Sequence, residues 1–250
     1  MAVREFDGAA DYIDLDPGTE LDVTTAFTIV MVFKSRVHHA GGLYCAMEPG
    51  TVACYGINPF SDGNLYVSGF GFAGAAYTAG EWLVVAWSKA AGTANARFHV
   101  YSLDNPAGWS HAADDAVSDQ NVFGVDRIRV GRWRANAEYF DGRLAVLACF
   151  ESALSDVTIE TFSAGLPEIL DAGPAGAWRF DQADVGTDVL DLAENGADQI
   201  AIAGTNVVTD DDPPGFIFDA EEPEPEPEPE PSSHTDLWEW MWHMEREGAF

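Results

Sequence analysis

The sequence predicts an all-β fold, a sandwich of two antiparallel sheets, on three observations. Most segments before residue 150 alternate in polarity with a period of two and are rich in β-branched and aromatic residues, which is typical of strands. Short turns of Gly, Pro, Asn and Asp separate these segments at the spacing of a sandwich or barrel. Helical periodicity is convincing at one place only. We therefore expect two facing sheets accompanied by one short helix.

The predicted strands differ in how many of their faces are apolar. The segment AFTIVMVFK (26–34) is apolar on both sides, as expected for a strand in the middle of the packing. In ARFHVYS (96–102), Phe98 and Val100 point one way while His99 points the other, so this strand should have one wet face. The other strands predicted before residue 152 are NLYVSGF (64–70), EWLVVAWSK (81–89), RIRVGRW (127–133) and GRLAVLACFE (142–151).

One predicted hairpin, LYCAMEPGTVACYG, carries two cysteines. A tight turn on its Pro-Gly pair would match Glu48 with Thr51, and this register places Cys45 directly opposite Cys54. Such a pair either forms a disulfide, if its geometry suits, or packs as two small buried side chains. The sequence leaves both readings open.

The convincing helix lies in ALSDVTIETFSAG. Ser155 can cap its N-terminus, and Val157, Ile159 and Phe162 should help to cover a sheet. Gly165 should stop this helix, and the following PEILDAG can add another turn.

Three strand-like pieces follow the helix, at 175–181, 199–205 and 215–219. They contain too few residues to bury a core of their own, so we expect them to close the sandwich rather than to form a second copy of it. The predicted organisation is a sandwich domain at 1–219 with closing strands in 173–219, a Glu/Pro linker at 220–232 and a C-terminal anchor segment at 233–250.

The C-terminal part combines a stiff spacer with an aromatic segment. Residues 221–231 alternate Glu and Pro, which favours an extended spacer of roughly 35 Å. Ser233 can then cap a short helix with one apolar face, and a helix of this length is marginal alone in water. We expect it either to dock on a partner or to fold back on its own sandwich. The residues predicted to dock are Leu237, Trp238, Met241, Trp242 and Met244.

The charge of the chain is strongly negative, with 42 acidic and 12 basic residues and a formal net charge of -30. We expect no nucleic-acid partner, because phosphate binding relies on Lys and Arg. A composition rich in Asp and poor in Lys looks like that of proteins from salt-loving organisms, in which salt screens self-repulsion. A high-GC genome is the alternative explanation.

The sequence contains no apolar run of the roughly 18 residues that a membrane span requires. Its N-terminus lacks the basic-then-apolar pattern of a signal peptide. Acidic residues around the aromatic segment also disfavour membrane insertion. We therefore expect a soluble chain without an export signal.

Five arginines lie within seventeen positions: Arg127, Arg129, Arg132, Arg134 and Arg143. With Ile128 and Val130 turned inward, the first two should share the outer face of one strand. The group is either a solvated face or a docking patch for an acidic neighbour, such as the Glu-Pro segment of another copy. The arginines predicted to dock a partner are Arg127, Arg129, Arg132 and Arg134.

The sequence predicts no cofactor and no defined metal site. TDDDPP (209–214) is acidic enough to collect Ca2+ through oxygen ligands. A triple aspartate in so acidic a chain is more often solvated, so Ca2+ is a weak expectation.

Four pieces of the chain occur in a characteristic order: FDGAADYIDLD (Phe6–Asp16), FTIVMVFK (27–34), GEWLVVAWS (80–88) and IRVGRWRANAEYFDGRLAVLACFESALSD (128–156). A second FDG motif, beginning at Phe140, precedes a long strand, and a helix capped at Leu154 and Ser155 follows it. In these motifs and their order the chain resembles the laminin-G-like, concanavalin A-like jelly-roll modules over about two thirds of its length. The resemblance implies a two-sheet antiparallel jelly-roll sandwich used mainly to bind glycans or proteins.

Some enzymes of this architecture, the laminarinase-type glucanases, place carboxylates at alternating strand positions that face one cleft. The nearest string here is DYIDLDPGTE, in which Asp14 and Asp16 share a face. The flanking glutamates are missing, and Pro17 interrupts the strand. We therefore expect no catalytic residues and a protein that is not an enzyme.

A glycan site needs exposed aromatic faces, because sugar rings stack on flat apolar surfaces. Trp109, and Trp133 beside Tyr139, lie in or next to predicted loops. These three are the candidate ligand-binding residues, and core packing is the alternative for Trp133.

A binding module with a peptide anchor and no export signal fits a protein that is made in the host cytoplasm and assembled into a virion. We expect a structural protein of a tailed virus, either a capsid decoration or a minor tail component. Its expected partners are other virion proteins through the C-terminal segment, a host-surface glycan and further copies in a homo-oligomer. The alternatives are a free lectin-like carbohydrate-binding protein and a glycoside hydrolase of the same fold.

Overall fold

A computed structural model shows how the strands of the chain divide between two antiparallel sheets. It describes residues 3–15, 26–38, 41–48, 52–68, 74–90, 96–114, 127–133, 138–180, 192–193, 199–203, 207–209 and 211–219. In chain order the strands are β1 (Val3–Asp7), β2 (Tyr12–Leu15), β3 (Phe27–Ser35), β4 (Tyr44–Glu48), β5 (Val52–Pro59), β6 (Asn64–Ser68), β7 (Gly74–Ala76), β8 (Trp82–Lys89), β9 (Ala96–Ser102), β10 (Ser110–Asp114), β11 (Arg127–Val130), β12 (Arg132–Trp133), β13 (Glu138–Tyr139), β14 (Asp141–Phe150), β15 (Gly176–Arg179), β16 (Gln199–Ala203) and β17 (Val207–Thr209).

The first sheet has the spatial order β10-β9-β8-β3-β14-β1-β17, with β15 also paired to β14, and the second has the order β16-β2-β11-β4-β5-β6-β7. Strands β12 and β13 form a small separate ladder. The two-sheet antiparallel sandwich predicted from the sequence is therefore confirmed.

The long strand β14 organises the first sheet. One of its edges pairs with β3, and its other edge is shared by β1 in the N-terminal half and β15 in the C-terminal half. A register shift between Leu144 and Val146 accompanies this branching. Of the strands that follow the helices, β15 and β17 join the first sheet and β16 joins the second.

Side chains from both sheets meet in one core. Alternate residues of β3, β8 and β14 point into it, together with Ile13 and Ile128 from the second sheet. Each large apolar side chain contributes about 1.5–3 kcal/mol by leaving water. The aromatic members of this core include Phe6, Phe27, Phe33, Trp87, Phe98, Phe140, Trp178 and Phe180.

A second apolar layer covers the outer face of the first sheet. It is built by two short helices, α1 (Asp156–Thr161) and α2 (Leu166–Asp171), which bury Ile159 and Ile169 against the sheet. Ser155 caps α1 as predicted, since its hydroxyl accepts a hydrogen bond from the backbone N–H of Thr158. Within the described part of the chain, no helix has the length and apolarity to cross a membrane.

The predicted helix differs from the observed ones in three details. A second helix, α2, is present where the sequence indicated only a further turn, so the expectation of one helix was too low. Gly165 precedes α2 rather than ending α1. Val157 does not cover the sheet, because it lies two residues from Ile159 and therefore on the opposite side of the helix, where it is 75% exposed.

The strand predicted at 215–219 was wrong. This segment lies over the outer face of the first sheet, where Phe216 and Phe218 are buried, and it makes one isolated bridge between Gly165 and Ile217. Ile217 is 48% exposed. Alternating polarity therefore marks an extended segment that packs on a sheet as well as a strand within one.

The predicted pairing of Cys45 with Cys54 was also wrong. Glu48 pairs with Val52, and a bulge after Ala46 shifts the ladder further, so that Cys45 faces Gly56. The side chain of Cys45 is buried.

The face of β9 that was predicted to be wet is covered at His99 but stays exposed at Arg97. His99 has no exposed surface, and the helical layer lies over the face of the sheet to which it belongs. Local alternation predicted the direction of this side chain correctly but could not reveal what covers it.

Candidate functional site

A group of charged and aromatic side chains lies on the outer face of the second sheet. Ile13 of β2 and Ile128 of β11 point into the core. Because side chains alternate along a strand, the residues next to each isoleucine point outward. Strands β2 and β11 are neighbours, which brings their outward residues together. We define the arginine–tyrosine cluster as Tyr12, Asp14, Arg127, Arg129, Arg132 and Tyr139.

A buried carboxylate organises this cluster. Arg129 and Asp14 are cross-strand partners, and two guanidinium nitrogens, Nε and Nη2, donate to the two oxygens of Asp14 at 2.7 and 2.8 Å. The Asp14 side chain is 5% exposed and that of Arg129 is 9% exposed. Nη1 of Arg127 contacts the same carboxylate at 3.4 Å. The hydrogen bond that Arg129 donates to Asp14 raises the pKa of Arg129, so this guanidinium stays charged.

Tyrosine rings and guanidinium groups form a layered arrangement beside this ion pair. The guanidinium of Arg129 lies 4.6 Å from the ring centre of Tyr12. Arg132 lies between two rings, at 5.4 Å from that of Tyr12 and 5.0 Å from that of Tyr139. Cation–π attraction stabilises these contacts. Tyr12, Arg132 and Tyr139 are each partly exposed, so the layer ends at the surface.

Glycine lets Trp133 lie flat on the second sheet. Trp133 is buried together with Cys45, and a Cβ at Gly56 would lie 2.2 Å from its ring. At Gly131 the chain leaves β11 with a positive φ of 87°, a conformation that glycine adopts without strain. The sequence offered Trp133 either as an exposed ring for a ligand or as a core residue, and the structure buries it, with 8% of its surface exposed.

Trp109 is not part of this cluster. Its indole N–H donates to the backbone carbonyl of Glu160 in α1 at 3.1 Å, and its ring packs near Tyr101. It is partly exposed. The three aromatic candidates are therefore divided between the two sheets.

The sequence group of five arginines is also divided. Arg127, Arg129 and Arg132 belong to the cluster, whereas Arg143 lies on the first sheet with Glu5 and Asp211. Arg134 lies outside the described residues, and so do the predicted docking residues Leu237, Trp238, Met241, Trp242 and Met244. Their roles remain predictions.

Sequence reasoning missed Tyr12 and gave Asp14 a different role. Asp14 was considered only as a carboxylate of a catalytic pair, whereas its two oxygens bind Arg129 and Arg127. The alternation of β2 indicated that Tyr12 and Asp14 share a face. Nothing local indicated that this face lies beside β11.

A row of contacting polar side chains lies between the first sheet and α1. Ser88 Oγ lies 3.2 Å from His99 Nε2, His99 Nδ1 lies 2.9 Å from His111 Nδ1, and His111 pairs with Glu160. Burial lowers the pKa of His99 to about 4. Although serine and histidine are a hydrolytic combination, Ser88 and His99 are buried. Burial leaves the serine no access to a substrate. This row of polar side chains therefore serves to join α1 to the first sheet.

Metal-binding geometry is absent from the described residues, which contain no group of three or more His, Cys, Asp or Glu able to hold an ion. Asp211, from the stretch considered for Ca2+, contacts Lys34 and Arg143 instead.

No family model and no curated protein matches the chain. Solved structures do match. A candidate carbohydrate-binding protein from Bacteroides ovatus aligns with a TM-score of 0.53 and 13% identity, over 82% of this chain and 61% of that one. This chain thus spans less than two thirds of that protein.

Weaker matches have other biological roles. The LG1-3 region of the laminin alpha2 chain aligns with a TM-score of 0.45 and 18% identity, over 62% of this chain and 32% of that one. A Trypanosoma rangeli sialidase aligns with a TM-score of 0.41 and 13% identity, over 56% and 23%. Identities this low concern architecture alone. In its two facing sheets and their order, this chain has the concanavalin A-like jelly-roll fold.

Proposed function

We propose that this protein is a glycan-binding jelly-roll module that is not an enzyme and that holds its ligand at the arginine–tyrosine cluster. The observation that carries the proposal is the partly exposed layer in which Arg132 lies between the rings of Tyr12 and Tyr139. Sugars bind to aromatic faces through their apolar sides and to planar charged groups through their hydroxyls. A layer of rings and guanidinium supplies both.

The buried ion pair supports this role because it fixes the layer. Asp14 holds Arg129 with two hydrogen bonds, and Arg129 lies against the ring of Tyr12. A preorganised site loses less conformational freedom when a ligand binds. The Bacteroides ovatus protein of the same fold is described as a candidate carbohydrate-binding protein, which agrees with the proposal.

The proposal can be tested by screening the chain on a glycan array and titrating the best ligand against variants. Tyr139→Ala and Arg132→Ala should weaken binding about tenfold or more while retaining the fold. Tyr66→Ala is the matched control, since Tyr66 is a partly exposed tyrosine of the second sheet whose hydroxyl donates to Asp62. If Tyr66→Ala weakens binding as much as Tyr139→Ala does, the site is elsewhere.

A more specific proposal is that the module is displayed on a virion, as a capsid decoration or minor tail component. It rests on the Glu-Pro spacer and the aromatic segment at 233–250 in the sequence. The chain should co-purify with virus particles and should be lost from them when residues 232–250 are deleted. Glycan binding that survives this deletion would separate display from a purely cementing role. Absence from purified particles would favour the free lectin-like alternative.

The glycoside hydrolase remains the least supported alternative. The Asp14 carboxylate is neutralised by two arginines, whereas a glycosidase needs one carboxyl group as an acid and a second as a nucleophile or base. Polysaccharide turnover that Asp14→Asn abolishes would revive it.

A further inference from the structure

A small cavity at the end of β3 and β14 has a cationic wall. It has a volume of about 160 Å³ and is lined by Lys34, Arg36, Gly80, Gly142 and Arg143. Three of its five lining residues are basic, although the whole chain has only 12 basic residues and a net charge of -30. This local surplus of positive charge has no role in the arginine–tyrosine cluster, which belongs to the other sheet.

The register of the first sheet places two of these cations directly opposite each other. Lys34 and Arg143 are cross-strand partners, and their neighbours Phe33 and Leu144 point into the core. Both cations therefore project from the outer face. Like charges in this position repel each other, so the arrangement requires an anion.

The protein itself supplies one anion to this position, the carboxylate of Asp211. One carboxylate oxygen of Asp211 lies 3.2 Å from Nζ of Lys34 and also accepts from Nη1 of Arg143. A carboxylate is therefore already seated between these two cations. Glu5 also accepts hydrogen bonds from Arg143 and Arg36. Its carboxylate therefore partly balances the positive charge of these two arginines.

Hydrogen-bond donors remain on the cavity wall after these contacts. Among the described residues, Lys34, with three N–H donors, makes one ion pair, to Asp211. Within the same part of the chain, Arg36, with five donors, makes two, to Glu5 and Asp141. None of the three carboxylates lines the cavity. The side chain of Arg36 is 47% exposed, so a ligand can reach the wall from solvent.

Glycine keeps this wall open. Gly80 has a positive φ, and a Cβ placed there would meet no atom within 4 Å. A Cβ at Gly142 would lie 2.3 Å from the carbonyl oxygen of Lys34 and 2.6 Å from the ring of Phe140, which belongs to the core. Gly80 therefore leaves space at the cavity wall, whereas Gly142 is required by close packing behind it.

We propose that this cavity binds the oxyanion group of a small ligand, a carboxylate or a sulfate, with Lys34 and Arg36 as donors. Asp211 acts as an internal competitor that lowers the affinity. A sugar acid, a sulfated sugar and a free inorganic anion all present this chemistry. The proposal is independent of the proposed function, since the cavity and the arginine–tyrosine cluster share no residue.

The test is calorimetric titration of the full chain with sodium sulfate, sodium glucuronate and glucose at constant ionic strength. Sulfate or glucuronate should bind saturably and glucose should not. Lys34→Gln and Arg36→Gln should each weaken anion binding about tenfold. Asp211→Asn should strengthen it several-fold, because the variant removes the competing carboxylate. Tighter binding of glucuronate than of sulfate would identify a sugar-borne acid, and the reverse would identify a free anion.

The controls come from the exposed ion pair between Arg97 of β9 and Asp156 of α1, because substitutions there remove one positive or one negative charge away from the cavity. Arg97→Gln and Asp156→Asn should leave anion binding unchanged. The proposal is overturned if neither anion binds saturably, or if Arg97→Gln weakens binding as much as Arg36→Gln does. Circular dichroism checks folding, and Arg36→Gln serves if Lys34→Gln does not fold.

Failure here is distinguishable from failure of the proposed function. Tyr139→Ala should weaken binding of a neutral glycan about tenfold or more and leave sulfate binding intact, whereas Arg36→Gln should weaken sulfate binding about tenfold and leave glycan binding intact. Loss of both activities in both variants would mean that the two sites are one, which would contradict this inference.

Discussion

The outer faces of the two sheets differ in what they carry. On the first sheet, Val30, Val84 and Val146 form an apolar surface that α1 and α2 cover. On the second sheet, the corresponding face carries the buried ion pair of Asp14 and Arg129 and the tyrosine rings beside it. The first sheet is thus apolar over the part of its outer face that the helices cover, whereas the second sheet has a polar cluster on its outer face.

This difference separates the structural part of the molecule from its candidate site. When a later segment of the chain covers a sheet face, the apolar side chains of that face are buried and stabilise the fold. Such a face tolerates few polar groups. A face that keeps charged groups and partly exposed rings can bind a ligand while the inner core maintains the fold. The following predictions test this division, from the largest effect to the smallest.

The covered face should be the more sensitive to loss of volume. Phe162 stacks on Phe150 with ring centres 5.9 Å apart, and Phe162→Ala should lower the free energy of unfolding by about 3–5 kcal/mol because it leaves a cavity. Urea denaturation measures this change. Val157→Ala in the same helical layer should change stability by less than about 0.5 kcal/mol, since Val157 is 75% exposed. Similar losses in both variants would show that the layer is not a packed core.

Asp14→Asn should destabilise the second sheet by about 3 kcal/mol, because it leaves Arg129 buried without its counter-charge. The value is at the lower end of the range for broken buried pairs, since asparagine keeps one oxygen acceptor. Denaturant titration of the variant measures it. A change near zero would mean that the outer face of the second sheet is solvated, and the comparison between the faces would fail.

Acid should weaken the contact between α1 and the first sheet. Because burial lowers the pKa of His99 to about 4, the unfolded chain binds more protons than the folded chain between that pH and about 6.5. Stability should therefore fall as the pH decreases through this window, by about 2 kcal/mol on reaching pH 5. His99 contacts Ser88 and His111, and His111 pairs with Glu160. The charges of Asp156 and Arg97 also act on the pKa of His99, in opposite directions.

Thermal unfolding at pH 8 and pH 5 measures this effect. His99→Gln should reduce the dependence on pH, because glutamine does not titrate. An equal dependence in the variant would assign the effect to other groups.

The smallest effect should come from the exposed ion pair between Arg97 and Asp156. These side chains are 49% and 41% exposed, so solvent screens their attraction, and Asp156→Asn should cost at most about 1 kcal/mol. Asp156→Asn and Asp14→Asn make the same chemical change, a carboxylate to an amide, in an exposed pair and in a buried pair. Comparing them isolates the effect of burial. A loss as large as that of Asp14→Asn would show that burial does not distinguish the two pairs.

Features that depend on neighbouring residues were predicted well. Strands β3, β8 and β9 lie close to their expected positions, because alternation over several residues is itself the signal of a strand. Ser155 caps α1 as expected, because a capping residue and the N–H group that it binds are only three residues apart in the sequence. The predicted pairing of Cys45 failed because Glu48 pairs with Val52 rather than with Thr51, and a bulge then shifts the register by one more residue.

The candidate site depended on distant residues. Arg127, Arg129 and Arg143 are close in sequence, yet the first two bind Asp14 and the third binds Glu5 on the other sheet. Their partners lie more than a hundred residues away along the chain. No local pattern identifies such partners.

The sequence alone determined the all-β class, the direction of most side chains and the excess of negative charge, because each follows from composition or from a period of two along the backbone. The tertiary structure decided which outward faces became covered, which carboxylate met which arginine, and where a cationic cavity formed. These outcomes depend on which strands become neighbours and which later segments fold over them. Strand neighbours are chosen by the free energy of the whole sandwich, since a long-range pair forms only when the rest of the core brings its two strands together.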